Sequence, residues 1–192
     1  MPIKQRCSRC GFPTVKNSYG CAKCLMQPLN WENLYCIANY QFPYDQILHR
    51  FKYQKQFWVA DYLTTLLAKQ IIQPAPILIP VPMHWRRQML RGYNQSQILA
   101  AQLARKLNVH CNDSALVRQR ATKQQQGLNR KERLSNLRDA FLLKQPLAAH
   151  IALVDDVVTT GATINEICKL LKNSGVDQID VYCIARSIAK QN

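Results

Sequence analysis

The chain has 192 residues, of which 47% are hydrophobic, and it carries a formal net charge of +15 at pH 7. This apolar fraction excludes wholesale disorder, no apolar run approaches the roughly 20 residues of a membrane span, and the first residues lack the apolar centre of a secretory signal. We therefore expect a cytoplasmic protein whose charge indicates a polyanionic partner: the phosphates of a small ligand, nucleic acid or anionic lipid.

Residues 1–27 contain two cysteine pairs spaced as C-x2-C-x10-C-x2-C: Cys7, Cys10, Cys21 and Cys24. Four thiolates suit a tetrahedral ion, for which Zn²⁺ is the usual occupant. So short a segment cannot build its own core, and it is predicted to be a zinc ribbon or knuckle with a structural metal. Redox dithiols and an iron–sulfur site are the alternatives. The other cysteines are predicted to be small buried apolar residues: Cys36, Cys111, Cys168 and Cys183.

Residues 28–75 are predicted to form a helical connecting segment packed on the core. Apolar residues recur at helical spacing from Tyr40 to Ile72, and the prolines of Gln73–Pro76 end the pattern. The aromatic cluster Tyr35–Tyr44, together with Trp31, has two interpretations, which are packing in the core and stacking on nucleic acid bases.

Residues 76–192 alternate between strand and helix patterns. The strand candidates are residues 77–85, 115–120, 140–144, 150–154 and 178–186, and the helix candidates are residues 94–109 and 164–175. This alternation predicts an α/β domain with a parallel sheet covered on both faces.

Two acids, Asp155 and Asp156, follow the apolar run 151–154 and precede a loop of small and hydroxyl residues: Thr159, Thr160, Gly161, Ala162 and Thr163. In open α/β sheets, ligands bind beyond the carboxyl ends of the strands. Glycine, threonine hydroxyls and a following helix N-terminus suit a phosphate. Neighbouring acids make sense if the ligand also carries vicinal hydroxyls or Mg²⁺, as a ribose 5-phosphate does. The alternative is a strand end with surface acids and a capping box formed by Thr163 and Glu166.

A proline-rich stretch, Pro80–Ser96, follows the first strand of the domain and is predicted to lie at the same edge. The forked guanidiniums of its arginines suit a pyrophosphate. A structural turn with solvated arginines is the alternative. The predicted pyrophosphate loop comprises Met83, His84, Arg86, Arg87 and Arg91.

Residues 114–138 carry seven Lys or Arg and one acid. A run of this kind is often a solvated face. Its length and its place between two strands favour a flap that closes over a charged substrate. The flap residues singled out are Arg120, Thr122, Lys123 and Gln125.

The stretch VDDVVTTGAT, residues 154–163, resembles the signature of type I phosphoribosyltransferases. The resemblance implies that Asp155 and Asp156 hold the ribose hydroxyls of phosphoribosyl pyrophosphate (PRPP), which binds together with Mg²⁺. It also implies that Thr159–Thr163 bind the 5-phosphate.

The remaining motifs resemble the ComF family of phosphoribosyltransferase-like competence proteins. They are the stretch PVPMHWRRQMLRGYNQS, the flap stretch with Thr122, Gln125, Leu128, Arg133 and Asn136, the pair Ala140–Phe141, and the cysteine pairs. Gln124, where the family pattern has proline, departs from it. The resemblance implies a type I phosphoribosyltransferase fold with an N-terminal zinc module.

The resemblance also implies a role in natural transformation or in the use of external DNA. The implied partners are PRPP, single-stranded DNA and the competence helicase or uptake proteins. Three interpretations remain open: a phosphoribosyltransferase with an unknown acceptor, a non-catalytic PRPP-sensing module that binds DNA, and a nucleobase salvage enzyme.

Overall fold

The computed structural model describes residues 5–14, 20–26, 28–119 and 140–188, apart from the side chains of Lys23 and Arg87. The strands are β1 (Asn33–Asn39), β2 (Ile77–Pro80), β3 (His110–Cys111), β4 (Leu116–Arg118), β5 (Phe141–Leu143), β6 (His150–Val158) and β7 (Gln178–Arg186). The helices are α1 (Ala22–Met26), α2 (Tyr44–Tyr53), α3 (Trp58–Ala68), α4 (Trp85–Arg91), α5 (Gln95–Leu107) and α6 (Ala162–Asn173).

Five of the strands form a parallel sheet in the order β1-β7-β6-β2-β3. Along β6, Ile151 and Leu153 join one apolar cluster, which includes α6 residues, while Ala152 and Val154 join a second cluster, built with α2, α3 and α5. Because successive side chains of a strand point to opposite faces, both faces of the sheet are covered by helices. The predicted parallel α/β architecture is confirmed.

One strand of this sheet, β1, was missed by the sequence pattern. Asn33–Asn39 lies inside the segment 28–75, which was expected to be helical, and pairs in parallel with β7, for instance Cys36 with Cys183. The helical pattern downstream is correct, although it forms two helices, α2 and α3, instead of one. The stretch NLYCIAN has no helical spacing of its apolar residues, and its partner strand lies 147 residues away in the chain.

The four-cysteine segment packs against the edge strand β1. The backbone N–H of Leu34 donates to the carbonyl of Ser8 at 2.7 Å, and Cys7 and Cys10 are buried. An uncovered edge strand exposes unpaired backbone groups, so this segment protects the sheet edge. Among the helices of the described part of the chain, none is both long and apolar enough to cross a bilayer.

Candidate functional site

The two acids lie where the sheet splits. Strand β2 ends at Pro80, which pairs with Val154, and beyond that point β6 is paired only with β7 among the described residues. From β2 the chain crosses over to β3 on one side, whereas from β6 it crosses to β7 on the other. Such a topological switch point is where open α/β sheets bind ligands. The sequence predicted that this strand ends at Val154. In the structure β6 continues through both acids to Val158.

Asp155 is held by two donors and has a strongly perturbed acidity. Its Oδ1 accepts hydrogen bonds from Ser96 Oγ and from the backbone N–H of Asp156, both at 2.9 Å. Burial and the neighbouring charge of Asp156 raise the pKa of Asp155 to about 7, against an ordinary value of 3.8. The free site therefore holds a carboxyl group that takes up or releases a proton near neutral pH.

Asp156 forms an ion pair that the sequence did not reveal. Lys52, in the last turn of α2, places its Nζ 2.9 Å from Asp156 Oδ2. Burial alone would lower the pKa of Lys52, but the charge and hydrogen bond of Asp156 outweigh it and raise that pKa. Lys52 follows the buried Phe51 in an ordinary helical pattern, and no local signal distinguishes it from the other lysines.

The predicted phosphate loop leads directly into helix α6. Gly161 is the residue before the helix and has a φ of 83°, a left-handed value that favours glycine. The Thr160 hydroxyl accepts from the backbone N–H of Ala162 at 3.2 Å. The expected capping box is wrong, because the helix begins at Ala162 and Gly161 provides no side-chain cap. Thr163 thus lies inside the first turn.

Replacing Gly161 with alanine is expected to destabilise the protein by about 2–4 kcal/mol, from the left-handed backbone and from steric overlap. A Cβ at this position would lie 3.0 Å from Cη2 of Trp31, whose ring is fully buried and has little room to shift. Gly92→Ala is the matched control, because Gly92 has the same φ of 83° and nothing within 4 Å of its added Cβ. Urea denaturation of both variants measures the difference, and equal losses would show that Trp31 does not constrain the loop.

The predicted pyrophosphate loop is partly helical. Residues 85–91 form α4, capped by His84, whose Nδ1 accepts from the backbone N–H of Arg86 at 3.2 Å. His84 is buried and Met83 is half-buried, so the histidine has a structural task here. Asn94 caps α5 through Ser96 N–H and donates to Val81 O at 3.1 Å, which fixes Ser96 beside the acids.

The arginines of this loop lie in different settings. Arg91 donates to Gln95 Oε1 at 2.8 Å and lies over the ring of Tyr53, whereas Arg86 is exposed and lies over the ring of Trp85. Arg87 is on α4, and its side chain lies outside the described part of the structure. Pyrophosphate binding by these residues stays a prediction.

The predicted flap falls largely outside the described residues, and so do all four of its singled-out members: Arg120, Thr122, Lys123 and Gln125. Its base is described. Strands β4 and β5 pair in antiparallel fashion, with Arg118 opposite Phe141, and Gln119 N–H donates to Ala140 O at 2.9 Å. The two ends of the segment therefore leave the fold side by side.

The four cysteines of the N-terminal segment converge. The sulfur of Cys7 lies 3.7 Å from that of Cys24, Cys10 lies 3.5 Å from Cys21, and all four sulfurs lie within 4.8 Å of one another. A tetrahedral zinc ion with Zn–S bonds of about 2.3 Å would hold its sulfurs about 3.8 Å apart. Burial raises the pKa of Cys10, so a cation is needed to stabilise its thiolate at neutral pH. The cluster therefore fits a metal.

Three of the other cysteines, Cys36, Cys168 and Cys183, are buried as predicted, while Cys111 is only half-buried. Trp31 is also buried, which excludes it from base stacking and confirms its role in packing.

This chain is similar in sequence to proteins of a known family. Residues 94–192 match the phosphoribosyl transferase domain family. The chain is 34% identical to the DNA utilization protein YhgH of Escherichia coli (strain K12), over 96% of this chain and 86% of that protein. It is 38% identical to competence protein F of Haemophilus influenzae, over 94% of this chain and 84% of that protein.

Two more distant proteins are also similar to this chain. Competence protein ComFC of Streptococcus pneumoniae is 25% identical over 76% of this chain and 66% of that protein. A purine phosphoribosyltransferase from Pyrococcus horikoshii Ot3 has a TM-score of 0.44 at 16% identity, over 67% of this chain and 73% of the other. The match to the domain family and the identity along nearly the whole chain together show that this protein belongs to the ComF family, with a phosphoribosyltransferase fold and an N-terminal cysteine cluster able to hold a metal ion.

Proposed function

We propose that the chain binds PRPP together with Mg²⁺ at the split between β2 and β6. Asp155 and Asp156 hold the two ribose hydroxyls, and Thr159–Thr163 hold the 5-phosphate. The single observation that carries the proposal is the place of the acid pair, at a topological switch point and three residues before a loop that opens helix α6. A helix N-terminus is favourable for a phosphate because of its unpaired N–H groups and its dipole.

The charges around the acids support a ligand that carries both hydroxyls and phosphates. Lys52 forms an ion pair with Asp156, whereas Asp155 has no ion pair within the described part of the chain and keeps a raised pKa. A sugar diol donates hydrogen bonds to carboxylates, so binding stabilises the ionised form of Asp155. Mg²⁺, carried with the pyrophosphate, would reduce the repulsion between that group and the acids.

Transfer chemistry at this site would break the bond from the anomeric carbon to pyrophosphate and form a bond from that carbon to a nucleophile. The protein contributes mainly by positioning and by stabilising charge on the departing group. Asp155 and Asp156 would orient the ribose, and Arg86, Arg87 and Arg91 would receive the pyrophosphate. Ser96 would hold Asp155 in place through the hydrogen bond from its hydroxyl. Zn²⁺ in the cysteine cluster is proposed as a structural ion only.

We further propose that the protein acts in the cytoplasm on incoming single-stranded DNA, in contact with competence helicase or uptake proteins. The names of the relatives from Escherichia coli and Haemophilus influenzae support this role, as does the net charge of +15. Exposed aromatic rings lie beside arginines on the surface of α2–α4, including Tyr53 with Arg91 and Trp85 with Arg86. Rings and cations in this arrangement suit unpaired bases and their phosphates.

Calorimetric titration with Mg–PRPP tests the sugar site. Asp155→Asn and Asp156→Asn are each expected to weaken binding about 10-fold to 100-fold, because each removes a charge-assisted hydrogen bond of about 1.5–3 kcal/mol. Asp113→Asn, at an exposed acid beyond β3, is the control and should bind normally. Unchanged affinity in both site variants would refute the proposal. Release of pyrophosphate with a panel of nucleobases and oligonucleotides then separates transfer from binding alone.

A further inference from the structure

Two buried side chains connect the four-cysteine segment to the phosphate loop. The first is Arg186, the last residue of β7, with a relative exposure of 3%. Its Nη1 donates to the carbonyl oxygens of Val158, at 2.7 Å, and of Thr159, where the loop begins. Its Nε donates to the carbonyl of Cys10 at 2.9 Å. One guanidinium therefore bridges the first cysteine pair and the start of the loop.

The second connecting side chain is Trp31, which has a relative exposure of 1%. Its ring packs against Gly161, and its indole N–H donates to the carbonyl of Arg9 at 2.7 Å. Arg9 donates in return to the carbonyl of Trp31 at 3.1 Å. Arg9 and Cys10 are adjacent, so both connections leave the same turn of the cysteine segment and reach the two halves of the loop.

The acceptors of both connections are carbonyls of the cysteine segment, and these carbonyls are fixed only while that segment is folded. The segment is too short to hold its own core, so its fold depends on the cluster of sulfurs. If the segment unfolds, the buried Nε of Arg186 loses the Cys10 carbonyl while Nη1 keeps those of Val158 and Thr159. An unpaired buried donor carries a penalty, and movement of Arg186 toward another acceptor would shift the loop carbonyls that its Nη1 holds. The same turn would thus set both the order of the cluster and the backbone positions of Val158–Gly161.

We propose that the cysteine segment is the support of the phosphate loop, with Arg186 and Trp31 as positioning residues, so that occupancy of the metal site and affinity for a sugar phosphate are coupled. The inference rests on the proposed function in one respect, which is that the loop binds the 5-phosphate. By linkage, if the metal strengthens binding of the sugar phosphate, the sugar phosphate strengthens binding of the metal by the same factor.

The first arm of the test measures ribose 5-phosphate binding by calorimetry on the full-length, zinc-loaded protein. Arg186→Lys keeps the positive charge but loses the guanidinium that donates to both Cys10 and Val158. Trp31→Phe loses the indole N–H donor and part of the ring. Each is expected to weaken binding about tenfold, within the usual range of coupling between sites. The matched controls are Arg105→Lys and Trp58→Phe, at exposed positions on α5 and α3.

The second arm uses the wild-type protein and needs no variant to fold. Competition with a zinc chelator is carried out with and without saturating ribose 5-phosphate. The sugar phosphate should tighten zinc binding about tenfold, the same factor by which zinc tightens sugar phosphate binding, whereas ribose without the phosphate should have no effect.

The outcomes separate the two proposals. If the wild-type protein does not bind ribose 5-phosphate, the proposed function fails. If it binds, but the variants bind equally well and zinc affinity does not respond, the proposed function survives and the coupling is refuted. Weaker binding in the variants without a response of zinc affinity also refutes the coupling, since local loss of structure would then explain it. Weaker binding in both variants together with tighter zinc binding in the presence of ribose 5-phosphate supports it.

Discussion

Replacing Cys21 with serine should release the metal from the N-terminal segment and lower the midpoint of thermal unfolding by about 10 °C, which at this chain length corresponds to about 3–5 kcal/mol. A site with three sulfur ligands holds zinc far less tightly than one with four, and the binding energy of a structural zinc contributes directly to folding. Loss of the segment would also expose the edge of β1 and remove the Cys10 carbonyl from Arg186. Metal content by mass spectrometry and a thermal melt measure both effects.

The matched control for this prediction is Cys111→Ser. Cys111 is half-buried at the end of β3 and lies outside the cluster of four sulfurs, so this variant should keep its metal and most of its stability. Treatment of the wild-type protein with a chelator should reproduce the loss seen with Cys21→Ser. A purified wild-type protein without bound metal, or equal melting of all three samples, would contradict a structural role of the cluster.

Replacing Asp155 with asparagine should stabilise the free protein at pH 8 while weakening ligand binding. Asp155 has a pKa of about 7 in the folded chain against an ordinary 3.8, so the folded protein holds its proton more tightly than the unfolded chain does. The stabilisation of the folded wild-type protein by protonated Asp155 is complete below pH 3.8 and is lost as the pH rises through 7. About three pKa units correspond to about 4 kcal/mol, an upper bound on the cost above that pH.

The asparagine carries no charge, yet its side-chain oxygen can still accept from Ser96 and from the N–H of Asp156. The free energy of unfolding of Asp155→Asn should therefore exceed that of the wild type by about 1–4 kcal/mol at pH 8, and the excess should shrink steadily toward pH 4. Urea denaturation at several pH values measures this difference. Asp113→Asn should follow the wild-type curve, and a constant offset of Asp155→Asn across the range would show that burial does not perturb this carboxyl.

Cys21→Ser and Asp155→Asn probe opposite relations between stability and function. We expect the four-cysteine cluster, with its metal bound, to contribute stability to the fold and, through Arg186 and Trp31, to contribute to binding. The acid pair lowers the stability of the free protein because the site keeps two carboxylates together in a partly buried place. Such local conflicts are expected where residues serve a ligand instead of the fold.

The sequence by itself was enough for the features that depend on neighbouring residues. The alternation of apolar patterns predicted the parallel α/β fold, and the spacing of the four cysteines predicted the cluster that the structure assembles. The contiguous stretch from Val154 to Thr163 indicated the candidate site, because its acids, its glycine and its threonines follow one another along the chain. Local chemistry can be read directly when all of its members are close in sequence.

The tertiary structure decided everything that depends on distant partners. The edge strand β1 exists because β7, far along the chain, offers a pairing register. Lys52 reaches Asp156 from α2, Ser96 reaches Asp155 from α5, and Arg186 reaches back to Cys10, each across a separation that leaves no trace in the local pattern. Packing creates these contacts only when the chain is folded, since burial and charge compensation are properties of the assembled core.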